Sequence, residues 1–134
     1  MKRKILTILV LLIIFSCKSN RAKILENQLN GYIINSESEN SLLLRLDTIS
    51  TFDWDALLVA GPYTNLNHIK EYDLKKFPTE YEISDRVVFF GFLNNKKGVK
   101  WVDLKITKEL EQLTFGGKNG YRVYPKTDCV FKLK

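Results

Sequence analysis

The stretch FDWDALLVAGPYT, residues 52–64, decides how the rest of the chain is expected to fold. Its middle, residues 56–60, is a short apolar run, which predicts a strand. The Gly-Pro pair at 61–62 ends that strand, because proline has no N–H to donate to a neighbouring strand. Thr64 has the side chain of a helix N-cap, and the spacing that follows predicts a helix to about Asp73. The residues expected to face inward on this helix are Leu66, Ile69 and Tyr72.

A second apolar run predicts the centre of the sheet. Residues 87–93 are apolar at both odd and even positions, as expected of a strand that is covered on both faces. Residues 94–98, Asn-Asn-Lys-Lys-Gly, have the composition of a hairpin loop, and the glycine is available for a positive φ angle. A return strand over 99–106 follows. These segments predict a central strand with an antiparallel neighbour.

The remaining segments add a helix and short strands. Apolar residues at helical spacing predict a helix over 22–34, and apolar-polar alternation predicts a strand over 42–49. Residues 108–113 fit either a helical turn or a strand. A turn and two more strands are predicted at 116–120, 121–124 and 128–133. The predicted fold class is α+β, a mostly antiparallel sheet of about five or six strands with one or two helices packed on it.

The N-terminus has the three parts of an export signal. A basic start is followed by an apolar run over 5–15, which is too short to span a bilayer as a helix, since that takes about 20 residues. The next residues, Ile14-Phe15-Ser16-Cys17, resemble the lipobox of bacterial lipoproteins. That resemblance implies cleavage before Cys17, a diacylglyceryl group on its thiol, and acylation, with palmitate expected, of the new N-terminus. The predicted organisation is therefore a signal peptide (1–16), a lipidated cysteine with a basic tether (17–23) and one domain (24–134).

The distribution of charge argues against nucleic acid as a partner. The chain has a formal net charge of +6, with 21 Lys+Arg and 15 Asp+Glu. Three of the basic residues lie in the signal and three in the tether, which leaves 15 of each sign in the domain. A nucleic-acid-binding fold should keep a basic excess. The predicted partner is instead a membrane, reached through the lipid anchor, and the basic tether is either a contact to anionic headgroups or a plain linker.

The second cysteine is predicted to be a core residue. If Cys17 is lipidated, Cys129 has no partner within the chain for a disulfide. Cys129 alternates with Phe131 and Leu133 on the apolar side of the last predicted strand. A buried thiol is therefore favoured over a reactive one.

Few residues in the sequence are candidates for chemistry. His68 is the single histidine, and no metal site or cofactor is predicted, because one histidine and one buried cysteine do not supply four ligands. Asp53 and Asp55 lack the repeated acidic positions and the glycine of an EF-hand loop. Their predicted roles are in the turn and in holding backbone amides before the strand. A hydrolase that uses one of these aspartates with His68 is kept as an alternative.

Two aromatic residues bracket the 56–60 strand and allow two interpretations. If Trp54 and Tyr63 are buried together, they join the turn to the next element as part of the core, and this is the favoured interpretation. If they are exposed together, they form a recognition patch with the flanking carboxylates. The candidate binding patch consists of Asp53, Trp54, Asp55 and Tyr63.

The same residues carry a resemblance to a family. Trp54-Asp55, a short apolar strand, then Pro62-Tyr63-Thr64, and a terminal Asp-Cys-Val-Phe-Lys are similar to the pattern of a group of small bacterial lipoproteins of uncharacterised activity. The resemblance covers most of the mature domain, although its specific positions are few. It implies one small α+β domain behind a lipobox and supplies no mechanism.

These observations together predict a function class. The chain is expected to be a non-catalytic, lipid-anchored protein of the bacterial cell envelope that faces the periplasm or the exterior and binds another protein or an envelope component. A sharper version is an immunity or inhibitor lipoprotein that acts against a toxin or a wall hydrolase. The small envelope hydrolase described above is the enzymatic alternative.

Overall fold

The computed structural model describes residues 20–36, 42–78, 85–114 and 117–134. The predicted signal peptide, Cys17 and the first part of the tether lie outside the described residues. In the described residues the helices and strands are α1 (Lys23–Ser36), β1 (Leu42–Arg45), β2 (Ala56–Ala60), β3 (Val87–Asn94), β4 (Lys97–Lys105), α2 (Lys108–Glu111), β5 (Tyr121–Pro125) and β6 (Val130–Leu133). The predicted α+β fold class is confirmed.

The strands that the structure describes form two antiparallel sheets. The larger sheet has the order β4-β3-β2-β5, and β1 pairs with β6 in the smaller one. β3 therefore lies inside the sheet, as the doubly apolar run predicted. β2 has the predicted bounds, and every residue of β3 from Val88 to Leu93 is buried.

Successive residues of the central strands enter opposite cores, because side chains alternate across a strand. Leu57 and Val59 of β2 belong to one hydrophobic cluster, together with Phe90 and Phe92 of β3. That cluster is covered by α1, by the β1–β6 sheet and by α2. Leu58 belongs to the second cluster, on the other face, which the irregular segment 61–78 covers. The residues of this segment that enter the second cluster are Leu66, Ile69, Leu74 and Phe77.

The prediction of a helix from Thr64 to Asp73 is wrong. The segment contains a single 3₁₀ turn, Leu66–His68, which Asn65 caps by accepting a hydrogen bond from the Asn67 N–H at 2.9 Å. The segment is instead fixed to the sheet at its end, because the Asp73 N–H donates to the Lys96 carbonyl and the Gly98 N–H donates to the Asp73 carbonyl. These contacts between distant parts of the chain hold the segment extended across the sheet. A compact helix of the same residues would cover less of the sheet.

The β3–β4 hairpin forms where it was predicted, but its glycine has another use. Asn95 and Lys96 have the positive φ angles of the two-residue turn, 49° and 66°. Gly98 lies within β4, where an added Cβ would come within 2.7 Å of the Phe77 ring. Gly91 is under the same restriction, with a distance of 2.5 Å to that ring. Both glycines are therefore required so that Phe77 can pack on the sheet.

Two further segments complete the comparison with the sequence: β1 is shorter than predicted, and residues 108–113, which fitted either a helical turn or a strand, have one observed structure. β1 ends at Arg45 rather than at residue 49, because the Leu46 and Asp47 N–H groups both turn toward the Cys129 carbonyl. Residues 108–113 are helical, and the Thr107 hydroxyl caps α2 by accepting a hydrogen bond from the Leu110 N–H at 3.2 Å. The predicted helix at 22–34 is confirmed as α1.

The prediction for Cys129 is confirmed. Its side chain is fully buried in the larger cluster, and its thiol lies 3.3 Å from the Pro125 carbonyl oxygen. Burial, together with the carboxylates of Asp128 and Asp47, raises the pKa of Cys129 to about 12. The thiol therefore stays protonated and unreactive at neutral pH.

The outer edge of β4 is covered by the start of the domain. The segment Asn20–Ala22 runs parallel to β4, with hydrogen bonds to both backbone groups of Trp101. Further along the edge, α1 presents two side chains to the backbone. Glu26 accepts from the Asp103 N–H at 3.0 Å, and Asn30 accepts from the Lys105 N–H at 2.9 Å. This edge is thus closed to pairing with another chain.

Candidate functional site

The two aromatic residues that bracket β2 lie at opposite ends of that strand. Five residues of strand separate the two positions by about 17 Å. Trp54 is 4% exposed and Tyr63 is 69% exposed. The candidate patch of Asp53, Trp54, Asp55 and Tyr63 is therefore not assembled as one surface, and the two aromatic residues need separate explanations.

Trp54 is part of the core. Its indole N–H donates to the Ile49 carbonyl at 2.9 Å, and its ring meets Phe92 edge to face with the centroids 5.0 Å apart. The Lys126 ammonium lies 4.8 Å from the centre of the same ring. A buried indole with its N–H satisfied fixes the turn before β2 and leaves no free surface for a ligand.

The two aspartates beside Trp54 also differ. The Asp55 carboxylate accepts a hydrogen bond from the Asn95 N–H at 2.9 Å, which supports the hairpin turn. Asp55 was predicted to hold backbone amides before the strand; it does hold a backbone amide, but this amide belongs to the hairpin turn, forty residues along the chain. Asp53 is exposed. In the part of the chain that the structure describes, no group of three or more His, Cys, Asp or Glu side chains is placed to hold a metal ion.

Tyr63 opens a polar groove at the other end of β2, which we call the Tyr63 groove. Its volume is about 330 Å³. The groove presents two phenol rings, two carboxamides and one imidazole, a set of side chains that both stack and exchange hydrogen bonds. The residues that line it are Tyr63, Thr64, Asn65, His68, Ile69, Asn119 and Tyr121.

The backbone around this groove is strained and held in place. Tyr63 has φ 64°, a left-handed conformation that is rare for a bulky residue. The buried Thr64 hydroxyl donates to the Gly120 carbonyl at 3.1 Å, and the Gly61 N–H donates to the same oxygen at 2.9 Å. Two hydrogen bonds to one carbonyl thus clamp both sides of the strained tyrosine.

The opposite wall of the groove needs a glycine. Gly120 has φ 81°, and a Cβ added there would lie 2.6 Å from the Thr64 hydroxyl oxygen. Its neighbour Asn119 also adopts a positive φ, 57°, and asparagine tolerates this conformation well. The Asn-Gly pair therefore supplies a tight corner that brings the start of β5 against the Pro62–Thr64 turn.

Tyr121 contributes a phenol that stays protonated. Burial, followed by the nearby carboxylate of Glu71, raises the pKa of Tyr121 above its ordinary value of 10.0. Its hydroxyl lies 3.4 Å from a Glu71 carboxylate oxygen and donates to it. The phenol is thus held in one orientation at the rim of the groove.

His68 is exposed and belongs to the Tyr63 groove. Neither Asp53 nor Asp55 lines this groove, since both precede β2 and His68 follows it. The structure therefore does not bring the histidine together with the aspartates, as the hydrolase alternative requires.

The sequence patterns did not predict several residues of the groove as site residues. Asn119 and Tyr121 come from the end of the chain, and Asn65 was expected inside a helix. The usable signal was the Asn-Gly dipeptide in the turn, which predicts positive φ angles. Nothing in the sequence indicates that this turn packs against residue 63.

The chain has no match among protein-family models, curated protein sequences or solved structures. In the described residues, no helix is long and apolar enough to cross a membrane.

Proposed function

We propose that this chain is a lipid-anchored protein of the bacterial cell envelope that binds another protein or an envelope component through the Tyr63 groove and catalyses no reaction. The observation that carries the proposal is Tyr63 itself. A large aromatic side chain is 69% exposed on a backbone with φ 64°.

Strain of this kind indicates function, because it is retained only where the surrounding structure enforces it. A residue in a sparsely populated backbone region costs on the order of 1–3 kcal/mol. Glycine at position 63 would avoid that cost. Tyrosine is among the side chains that contribute most to binding energy at interfaces, since it offers a large rigid surface and a hydroxyl.

The composition of the groove favours recognition over catalysis. Around Tyr63 it presents carboxamides and phenols, which both donate and accept hydrogen bonds. The lining around its imidazole, His68, contains no cysteine or serine, the Thr64 hydroxyl is bonded to the Gly120 carbonyl, and the Glu71 carboxylate at the rim is bonded to Tyr121. A nucleophile and base within hydrogen-bond reach of each other are what a hydrolase requires.

The position of the groove suits an anchored protein. Cys17 precedes Asn20 by three residues, so the lipid would attach within about 11 Å of the domain. Asn20–Ala22 runs parallel to β4, so the chain enters from the hairpin end of the sheet. The Tyr63 groove lies beyond the opposite end of β2. An anchored domain would thus present the groove away from the bilayer.

Site-specific crosslinking tests the proposed binding site. A photoreactive phenylalanine analogue at Tyr63 is expected to capture one predominant species in growing cells. The same residue placed at Val130, which is exposed on β6, serves as the matched control. Equal capture at both positions, or none at Tyr63, would contradict the proposed site.

A separate measurement tests the anchor. Mass spectrometry of the purified protein is expected to find Cys17 as the first residue, with a diacylglyceryl thioether, and Cys17→Ser is expected to lose incorporation of labelled palmitate. An intact N-terminal methionine would rule out the lipid anchor and leave the crosslinking result standing by itself.

A further inference from the structure

Exposed lysines gather at the end of the sheet from which the chain enters. The hairpin turn carries Lys96 and Lys97, and the nearby loop carries Lys75 and Lys76, all of them exposed. Between the hairpin and the loop is a groove of about 410 Å³, lined by Lys75, Lys76, Lys97 and Val99 among others. We call Lys75, Lys76, Lys96 and Lys97 together the lysine end.

Acidic residues nearby cancel only part of this charge. The Asp55 carboxylate accepts from the Asn95 N–H and the Asp73 carboxylate from the Lys75 N–H at 3.3 Å, and both keep their negative charge because a backbone amide is neutral. Asp53 is the remaining carboxylate beside the turn before β2. Lys126 adds a further positive charge above Trp54. The lysines therefore outnumber the carboxylates at this end.

An apolar groove lies on the other face of the sheet, and Lys100 of β4, three residues after Lys97, lines it. Its volume is about 660 Å³, and it lies between the first turn of α1 and the loop that contains Phe52. Ile24, at its rim, is 78% exposed, which is the largest exposure of any large hydrophobic residue that the structure describes. Lys23 and Lys100 border the same groove.

We propose that the lysine end and this apolar groove dock the domain onto a bilayer surface that contains anionic phospholipid. Basic side chains beside an apolar face are the combination that binds such a surface, because the cations meet the phosphates while the apolar residues enter the headgroup boundary. Ile24 is the residue that enters the boundary, Lys23 and Lys100 border its groove, and the lysine end supplies the remaining positive charge. The inference rests on the proposed lipid anchor for its location.

The direction of the chain supports a membrane over other acidic partners. The described segment that runs along β4 begins at Asn20, on the same side of the domain as Ile24 and Lys100. The anchor position, Cys17, is three residues earlier in the sequence. A lipid attached so near would hold this end of the domain against the bilayer.

Vesicle binding without the lipid isolates this contact. A chain of residues 18–134 keeps both hydrophobic clusters and all the described helices and strands, so it is expected to fold, as circular dichroism can verify. We expect this chain to co-sediment with phosphatidylglycerol-containing vesicles and not with pure phosphatidylcholine vesicles.

Two variants with the same change of charge give the decisive comparison. Replacement of Lys75, Lys76, Lys96 and Lys97 by glutamine should weaken binding to anionic vesicles at least about thirtyfold, the effect of two lysines that contact the surface. The matched control replaces four exposed lysines outside this end by glutamine and should bind as the unmodified chain does. These control positions are Lys105, Lys108, Lys132 and Lys134.

Equal losses in both variants would show that only net charge matters and would overturn the proposal. Equal binding of the unmodified chain to both kinds of vesicle would overturn it as well. Ile24→Ser adds a second measurement, because it should weaken binding to anionic vesicles without any change of charge. Since no lipid anchor is present, a negative result leaves the proposal for Cys17 intact, and a failure to find lipid at Cys17 does not alter the vesicle result.

Discussion

The two ends of β2 carry similar residues and are built in opposite ways. Before the strand, Trp54 is buried with its N–H satisfied by the Ile49 carbonyl. After the strand, Tyr63 is exposed on a strained backbone that two hydrogen bonds to Gly120 hold in place. Trp54 stabilises the fold at the first end, whereas the strained backbone of Tyr63 lowers the free energy of unfolding at the second. That difference locates the proposed binding site at the second end.

The largest expected effect is at the buried end. Trp54→Ala removes a fully packed ring and should lower the free energy of unfolding by about 3–5 kcal/mol, because a cavity replaces the contact with Phe92. Urea denaturation followed by circular dichroism measures this change. Trp54→Phe is the control, since it restores most of the ring volume and loses the hydrogen bond to Ile49, worth about 1 kcal/mol. If Trp54→Ala costs less than 1 kcal/mol, the assignment of Trp54 to the core is wrong.

The next effect concerns Glu26, which ties the chain entry to β4. The residue is 5% exposed, and its carboxylate accepts two hydrogen bonds from the Arg21 guanidinium, each at 2.9 Å. Burial alone would raise the pKa of Glu26, but Arg21, the Asp103 N–H and Lys23 together hold it below the ordinary value of 4.5. Glu26→Gln should cost about 1.5–3 kcal/mol at pH 7, the range for hydrogen bonds to a charged group.

The sign of the pH dependence follows from the lowered pKa. Stabilisation by Glu26 is fully present above pH 4.5 and is lost as the pH falls through the lower pKa of the folded state. Unfolding measured between pH 6 and pH 3 should therefore show a smaller loss of stability on acidification in Glu26→Gln than in the unmodified chain. Parallel curves for the two proteins would contradict the lowered pKa.

The aspartates that flank Trp54 give a smaller, matched comparison. Asp55→Ala should cost about 1 kcal/mol, since it leaves the Asn95 N–H of the hairpin turn without its carboxylate. Asp53→Ala, at an exposed position two residues away, should stay within about 0.5 kcal/mol of the unmodified chain. Thermal unfolding of both variants measures the difference, and equal effects would argue against the structural role of Asp55.

Local patterns in the sequence predicted much of the fold. The uninterrupted apolar runs of β2 and β3 are a property of consecutive residues, so they indicated both strands and the central position of β3. The same reasoning placed Cys129 in the core. These predictions depend on short-range periodicity, which one sequence displays in full.

Contacts between distant residues decided what the sequence did not predict. Thr64 looks like a helix cap, but its hydroxyl bonds to Gly120, fifty-six residues away, and Asp73 bonds to β4. Those contacts replace the predicted helix and create the Tyr63 groove. The left-handed backbone of Tyr63 follows from them too, because neither tyrosine nor its neighbours favour that conformation.

The smallest effect on stability is the most informative for function. Tyr63→Gly relieves the strain at φ 64° and should raise the free energy of unfolding by about 0.5 kcal/mol, because relief of about 1–2 kcal/mol is partly offset by the entropy of glycine. Tyr63→Ala keeps the strained Cβ and should give no such gain. With the photoreactive residue moved to Asn119, on the far wall of the groove, both variants should lose the captured species. A Tyr63→Gly protein that is less stable, or that still captures its partner, would show that the strained tyrosine serves the fold and that binding takes place elsewhere.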